Sequence, residues 1–292
     1  MLKSEKIRGG ICTFERYEGR TDIGSSRIRG TWIANHWDNV ELFVQGKEYD
    51  FVIYQKAYWV EHAKVFKGIK IFDLCDPDFL HWGYRTKQMI DNVDAVTTST
   101  EALAEALRKF TDKPVVCIPD RVDFNFYNIK KKHFGTANMI TWFGYSNNFE
   151  MLKPAVKYLI ENNLDLVVVS DKDFIPQPNE IGRIEVFNYR WNYLTANENI
   201  LKGDMLLNPQ ASKGKWKFKS NNKTLAGIAL GLPVATNIDE LKRFKDCDER
   251  VKEVKERTKE LKEKWDVKIS ISELKALINE IIKNRKIKDV KE

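Results

Sequence analysis

Short apolar runs with strand character alternate with stripes at helical spacing along most of the chain, and this alternation predicts its elements. Residues 11–14 (I-C-T-F) read as a first strand, followed by the polar loop E-R-Y-E-G-R-T-D-I-G. A helix is expected from Ser25 or Ser26 through Ile28, Trp32 and Ile33, then strands at 40–44 and 50–54 and a helix over 60–66. Residues 69–74 form a further strand whose end runs into C-D-P-D, and residues 94–97 another. Thr98 and Glu101 have capping-box spacing, with Leu103, Leu107 and Phe110 striping the helix that follows. Residues 114–118 close the series. Strands and helices alternating in this way indicate a mostly parallel sheet covered on both faces.

From Pro119 to Thr136 the periodicity lapses, and a second alternating set begins at residue 139. Residues 139–143 (M-I-T-W-F) read as a strand turning at Gly144, then a helix over about 148–161 carries Leu152, Val156, Leu159 and Ile160 inward. Further strands are expected at 164–169, 183–187 and 203–207. After Leu241 the pattern changes to a highly charged helix with Val251, Val254, Leu261 and Trp265 on one face. Ser270 and Glu273 are spaced as a second capping box, opening a helix with Leu274, Leu277, Ile278 and Ile281 inward. The expected organisation is an α/β chain of two Rossmann-like domains: residues 1–122, a linker at 123–136, residues 137–245, and a helical tail at 246–292.

At 292 residues the chain is long enough for a core in each domain. With 42% hydrophobic and 31% charged residues and only 8 Pro and 15 Gly, no long disordered segment is expected. A net charge of +7 favours anionic ligands without choosing among nucleotides, acidic glycans, phospholipids or nucleic acid. The four cysteines are scattered with no C-x-x-C pair, and Cys12 and Cys117 fall in apolar runs, which predicts reduced thiols and a cytoplasmic setting. No apolar run approaches membrane-spanning length, and peripheral membrane contact is left open.

The densest candidate chemistry lies in K-S-N-N-K-T-L-A-G-I-A-L-G-L-P, residues 219–233. Leu225, Ile228, Ala229 and Leu230 suit a buried helix face, with Asn221 or Asn222 as its cap. Free N–H groups and the positive dipole end would then lie beside Lys219 and Lys223, a combination suited to phosphate or diphosphate. The competing reading is an ordinary capped helix with solvated lysines. Gly231-Leu232-Pro233 ends the helix, and Val234-Ala235 begins the next strand.

Three segments resemble the GT-B nucleotide-sugar-dependent glycosyltransferases, particularly the large group that contains many retaining bacterial enzymes. D-A-V-T-T-S-T-E-A-L-A-E-A-L-R with P-V-V-C-I-P-D-R-V-D (residues 94–108 and 114–123) is similar to the last strand–helix–strand before that group's linker. I-T-W-F-G-Y-S-N-N (140–148) resembles the opening strand and glycine turn of its donor-binding domain, and K-S-N-N-K-T-L-A-G-I-A-L-G-L-P-V (219–234) its K-x-x-N-K helix leading into G-L-P-V. The likeness spans about residues 5–245. It implies two Rossmann-like domains facing a cleft, with donor diphosphate held by Gly144, Lys219, Asn222 and Lys223, and metal-independent transfer of a sugar from a UDP-sugar or similar donor. No cofactor is implied beyond that donor substrate. Retention of anomeric configuration is the family lean. The chain departs from the family at two positions: Phe218 and Ala226 stand where a pair of glutamates is usual, the second of which normally holds the ribose.

Other groups complete the candidate site. Asp73, Asp76, Asp78 and His81 cluster after a strand, where open α/β sheets gather ligands. Asp76, and after it His81, is the candidate general base; the alternative makes Asp76 and Asp78 turn and capping residues around Pro77. Arg27 and Arg29 would hold an acceptor or phosphate, or else be solvated helix arginines. Tyr189 and Trp191 would flank the nucleotide base, or simply pack. Lys213, Lys215, Lys217 and Lys219 interleave with Trp216 and Phe218, as in loops that track nucleic acid. The leading expectation is a glycosyltransferase acting on an acceptor hydroxyl of a glycan, glycolipid or DNA. The alternatives are a nucleic-acid-binding protein and a catalytically silent GT-B-like protein.

Overall fold

The computed structural model describes residues 7–14, 23–209 and 214–289. Most of the polar loop expected after the first strand, and Lys213 and the Lys215 side chain, lie outside the described residues. The chain forms two compact units. Unit 1 takes the described residues among 1–121, 213–220 and 267–292, and unit 2 those among 122–212 and 221–266.

Unit 1 holds a six-stranded parallel sheet of β1 (Gly9–Thr13), β2 (Val40–Leu42), β3 (Phe51–Gln55), β4 (Ile69–Leu74), β5 (Ala95–Thr98) and β6 (Val115–Cys117), in the order β2-β1-β3-β4-β5-β6. β3 is buried along its whole length and β4 nearly so, which is why both read as almost continuous apolar runs. The chain steps from β1 to β2 on one side and then fills the other side from β3 onward, so the topological switch lies at β1/β3. Register aligns Thr13 with Gln55, Gln55 with Asp73, and Asp73 with Thr97. Four buried polar residues therefore form a row across the carboxyl ends of four strands, the edge where such sheets gather ligands.

Helices cover this sheet. A helical run opens as α1 (Gly24–Ser26), widens into a π-turn at Arg27–Thr31 and closes as α2 (Trp32–Asn35). It is followed by α3 (Val60–Val65), α4 (Phe79–Asp91) and α5 (Glu101–Arg108). Thr100 caps α5, accepting from the Leu103 amide at 3.3 Å; Thr98, the expected cap, is the last residue of β5 and donates its hydroxyl to the Thr100 carbonyl. Leu103 and Leu107 are buried as expected, whereas Phe110 lies past the end of the helix and is half exposed.

Unit 2 holds a five-stranded parallel sheet of β7 (Met139–Phe143), β8 (Asp165–Ser170), β9 (Val186–Arg190), β10 (Met205–Leu207) and β11 (Val234–Ala235), in the order β11-β10-β7-β8-β9. Its switch point lies at β7/β10, and Gly144 is the first residue after β7. The helix expected over 148–161 begins later: residues 146–151 form a 3₁₀ turn, and α6 (Lys153–Glu161) starts with Pro154 in its first turn. Proline is tolerated there and nowhere further in. Leu152, Val156 and Leu159 are buried against β8 residues Leu166 and Val168. α7 (Ala196–Ile200), α8 (Asn222–Ala229) and α9 (Ile238–Arg243) follow.

The tail is two helices, α10 (Cys247–Lys264) and α11 (Val267–Asp289), and they belong to different units. On α10 the structure buries Arg250 completely and leaves Val251 half exposed, against the apolar face expected. α11 begins at Val267, one turn before the expected capping box. Ser270 and Glu273 consequently lie inside the helix and hold Arg121, which donates to Ser270 Oγ at 2.9 Å and to both Glu273 carboxylate oxygens at 2.6 and 2.7 Å. Among the described residues no helix is long and apolar enough to cross a membrane.

Candidate functional site

In unit 2 the candidate chemistry gathers at the start of α8. Asn221 occupies the cap position, but its side chain makes no capping hydrogen bond. The cap expected from Asn221 therefore does not form, and Asn222, the alternative, is the first residue of the helix. Thr224 in the first turn is tied to the end of β10 by the Asn208 amide, which donates at 3.0 Å. The Lys223 ammonium lies 4.6 Å from the ring centroid of Trp142 and 5.9 Å from that of Phe143. Gly144, with φ +149°, passes so close that a Cβ there would stand 2.5 Å from Lys223 Nζ. Gly144, Asn222 and Lys223 are thus brought to one place: a cation, a helix start and a bare glycine turn at the switch point of the sheet.

Trp191 extends this group, stacking on Phe143 with ring centroids 6.2 Å apart. Tyr189 instead lies under the ammonium of Lys202, 5.0 Å from its ring centroid. Ala226 is buried in α8, where the side chain packs rather than binds.

In unit 1 the row of strand ends carries two connected polar clusters. The first is built around Arg29. Its Nε and Nη2 donate to Asp73 at 2.7 and 2.6 Å, and its Nη1 donates to Asp120 at 2.9 Å and to the Ile118 carbonyl at 2.9 Å. Thr97 also donates to Asp73, at 2.6 Å. Burial works against the guanidinium charge, yet Asp73 and Asp120 outweigh it and raise the Arg29 pKa well above its ordinary value. Arg29 is therefore a buried bracket between strand ends, not a surface ligand for phosphate or acceptor. Arg27 is buried as well, its guanidinium 5.8 Å from the Trp32 ring centroid. The π-turn that contains both arginines directs them into the unit, a placement that simple helical periodicity does not anticipate.

The second cluster contains Asp76. Lys56 Nζ donates to Asp76 Oδ2 at 2.7 Å and lies 3.6 Å from Asp78 Oδ1, while Lys219 Nζ donates to Asp76 Oδ1 at 3.0 Å. Tyr58 donates its hydroxyl to Asp78 Oδ2 at 3.1 Å. Burial favours the neutral acid, but Lys219 and Lys56 outweigh it and hold the Asp76 carboxyl below the usual range. Burial, with Asp76 as a neighbouring charge, pushes Asp78 upward. His81 lies exposed in the first turns of α4.

Lys219, expected at the donor diphosphate, is thus in unit 1 on the candidate base. Neighbouring residues hold its segment there: Ser220 donates to Asp120 at 2.6 Å and Thr100 to the Phe218 carbonyl at 3.4 Å. Phe218 is buried, nearly perpendicular to Phe79 and with the Lys217 ammonium 4.7 Å from its ring centroid, so it packs within unit 1. Sequence reasoning missed Lys56. The available signal was its place as the first charged residue after a buried strand, beside the strand that runs into C-D-P-D. Among the described residues no three His, Cys, Asp or Glu side chains gather as a metal ion would require.

No family model matches the chain, and no curated protein does. Solved structures do. The DNA-modifying enzyme β-glucosyltransferase, described with and without uridine diphosphoglucose, is 10% identical over 96% of this chain and 98% of its own, with a TM-score of 0.52. T4 phage BGT in complex with UDP-glucose is 12% identical over the same shares, with a TM-score of 0.48. A glycosylation-associated complex, Gap123 of Streptococcus agalactiae, is 11% identical over 80% of this chain, which spans 53% of that chain's length, at a TM-score of 0.36. The chain has the GT-B fold: two parallel-sheet Rossmann-like domains with C-terminal helices.

Proposed function

We propose that the protein is a glycosyltransferase that moves a sugar from a nucleoside-diphosphate donor to an acceptor hydroxyl. The observation that carries this reading is the start of α8, where Lys223 lies against the Gly144 turn beside the helix N-terminus. Glycosyl transfer breaks the bond between the anomeric carbon and a phosphate oxygen, and the electron pair leaves with the diphosphate. A fixed cation and helix amides at that group stabilise the developing charge more than the ground state. The neighbouring Trp191–Phe143 stack supports a role in holding the base. The GT-B fold, shared with an enzyme that uses uridine diphosphoglucose, makes a UDP-sugar the first donor to try.

Asp76 takes the acceptor's proton. In this reading the acceptor oxygen bonds to the anomeric carbon as the diphosphate leaves, and the acceptor's proton passes to a carboxylate base, the role assigned to Asp76. A carboxylate neutralised by two lysines is a weak base, so it receives the proton late, once the oxygen has become acidic. Glycans, glycolipids and DNA are the acceptors to compare, DNA because the β-glucosyltransferase that shares the fold is a DNA-modifying enzyme.

The test is incubation with a panel of nucleotide sugars, with and without each acceptor, following diphosphate release and the anomeric configuration of the product. Release that requires Lys223 and Asp76 is expected. A silent wild-type protein across the whole panel would remove the enzyme reading and leave a binding role.

A further inference from the structure

The carboxylate assigned as proton acceptor is held by a residue that neither periodicity nor motif singled out. We propose that Lys56 is the positioning residue for Asp76, fixing the plane and the charge of that carboxylate from the switch point of the unit 1 sheet. The proposal rests on the reading of Asp76 as proton acceptor.

Four observations carry it. Lys56 is the first residue after β3, at the β1/β3 switch where the chain reverses its direction of sheet growth. It has φ +50°, a left-handed conformation uncommon for a residue with a side chain, and its amide donates to the Asp73 carbonyl at 2.8 Å, so the turn is pinned to the neighbouring strand. Its side chain is largely buried, at 17% exposure against 49% for Lys219, so of the two cations on Asp76 it is the one with little freedom to leave. Finally, the two ammonium groups divide the carboxylate, Lys56 on Oδ2 and Lys219 on Oδ1, which sets the carboxylate plane as well as its charge.

Among the described residues the other groups around this pair are few. Asp78 faces Lys56 and carries the Tyr58 hydroxyl, and the Cys75 thiol lies beside Asp76, its Sγ 4.0 Å from Oδ2, with Arg29 and Asp120 acting on it from the first cluster. The Phe14 ring lies 5.9 Å from Lys56 Nζ. Lys56 therefore stands between two carboxylates with opposite tendencies, Asp76 held ionised and Asp78 pushed toward the neutral acid. Environments that separate two neighbouring acids in this way are how a site assigns different proton-transfer roles to each.

The experiment is carbon-13 NMR titration of the Asp76 carboxyl in the full chain, with the pH profile of sugar transfer measured alongside. In Lys56→Met the Asp76 midpoint should rise by about one pH unit. The acid limb of kcat should move with it while KM for the donor stays put, and Lys56→Arg should restore most of both. An Asp76 midpoint unmoved in Lys56→Met would overturn the proposal. Should Lys56→Met not fold, Asp76→Asn decides from the other side, because coupling is reciprocal. The Lys56 ammonium should then titrate lower by a similar amount, and an unchanged Lys56 would overturn the proposal. If the wild-type protein transfers no sugar, the enzyme reading fails, yet these titrations still decide whether Lys56 governs Asp76.

Discussion

Replacing Gly144 with alanine tests whether the turn after β7 is built for close approach. Two effects separate cleanly. The first is backbone: φ +149° lies in a region that residues with a Cβ rarely adopt, and holding alanine there costs about 1–3 kcal/mol. The second is contact: the new methyl would stand 2.5 Å from Lys223 Nζ and 3.2 Å from Trp142 Cη2. Lysine has a flexible end, so the clash is relieved by swinging the ammonium off the Trp142 face, which forfeits a cation–π contact of about 0.5–1 kcal/mol. Gly144→Ala should therefore lower stability by about 1.5–4 kcal/mol, the sum of these two contributions. Urea denaturation reads this as a lower midpoint at unchanged slope. Calorimetry should also show weaker UDP binding, because the ammonium has been displaced. Adding Lys223→Met should leave the backbone cost but abolish the methyl's further effect on UDP, a non-additivity expected of groups in contact. A Gly144→Ala protein as stable as wild type and binding UDP as tightly would refute the reasoning.

Arg250 is fully buried and donates to the carbonyls of Phe244, Lys245, Phe134 and Gly135 and to His133 Nδ1. Arg250→Met should destabilise unit 2 by about 3–5 kcal/mol, since it strands buried acceptors, and urea denaturation will show it. His133 is pushed below its ordinary pKa by burial and by Arg250, against the Gly231 carbonyl that its Nε2 binds at 2.8 Å, with Lys131 and Asp204 also acting on it. Its folded pKa is lower than its unfolded one. Its stabilisation is therefore complete above the unfolded value near 6.5 and declines as pH falls through that value toward the folded one. His62 is shifted in the same direction by burial, so the measurement is the difference between wild type and His133→Asn, whose pH dependence between 7.5 and roughly 5 should be shallower.

Much of the architecture was legible because parallel strands buried on both faces declare themselves as apolar runs, and I-K-I-F-D-L and L-D-L-V-V-V could be little else. The helix inside residues 219–233 was legible for a local reason: the apolar spacing of Leu225, Ile228 and Ala229 and the stop at Gly231-Leu232-Pro233 act within a few positions. What escaped were interactions that depend on chain segments far apart in sequence. Arg29 reads as a solvated helix arginine until Asp73 and Asp120, 44 and 91 residues away, are seen around it. Lys219 and Lys223 look equivalent in K-S-N-N-K, yet Ser220 and Phe218 anchor the first to unit 1, while the second folds onto Trp142 in unit 2. Arg250 sits in D-E-R-V-K-E, where a buried side chain has no local signature at all.

The most direct test is calorimetric titration of UDP into the wild-type protein and into Lys223→Ala. Saturable wild-type binding is expected, and losing a charge-assisted contact of about 1.5–3 kcal/mol should weaken it by about 10- to 150-fold in the variant. A wild-type protein that binds no nucleoside diphosphate, or a Lys223→Ala protein that binds one as tightly as wild type, would contradict a diphosphate site at the start of α8.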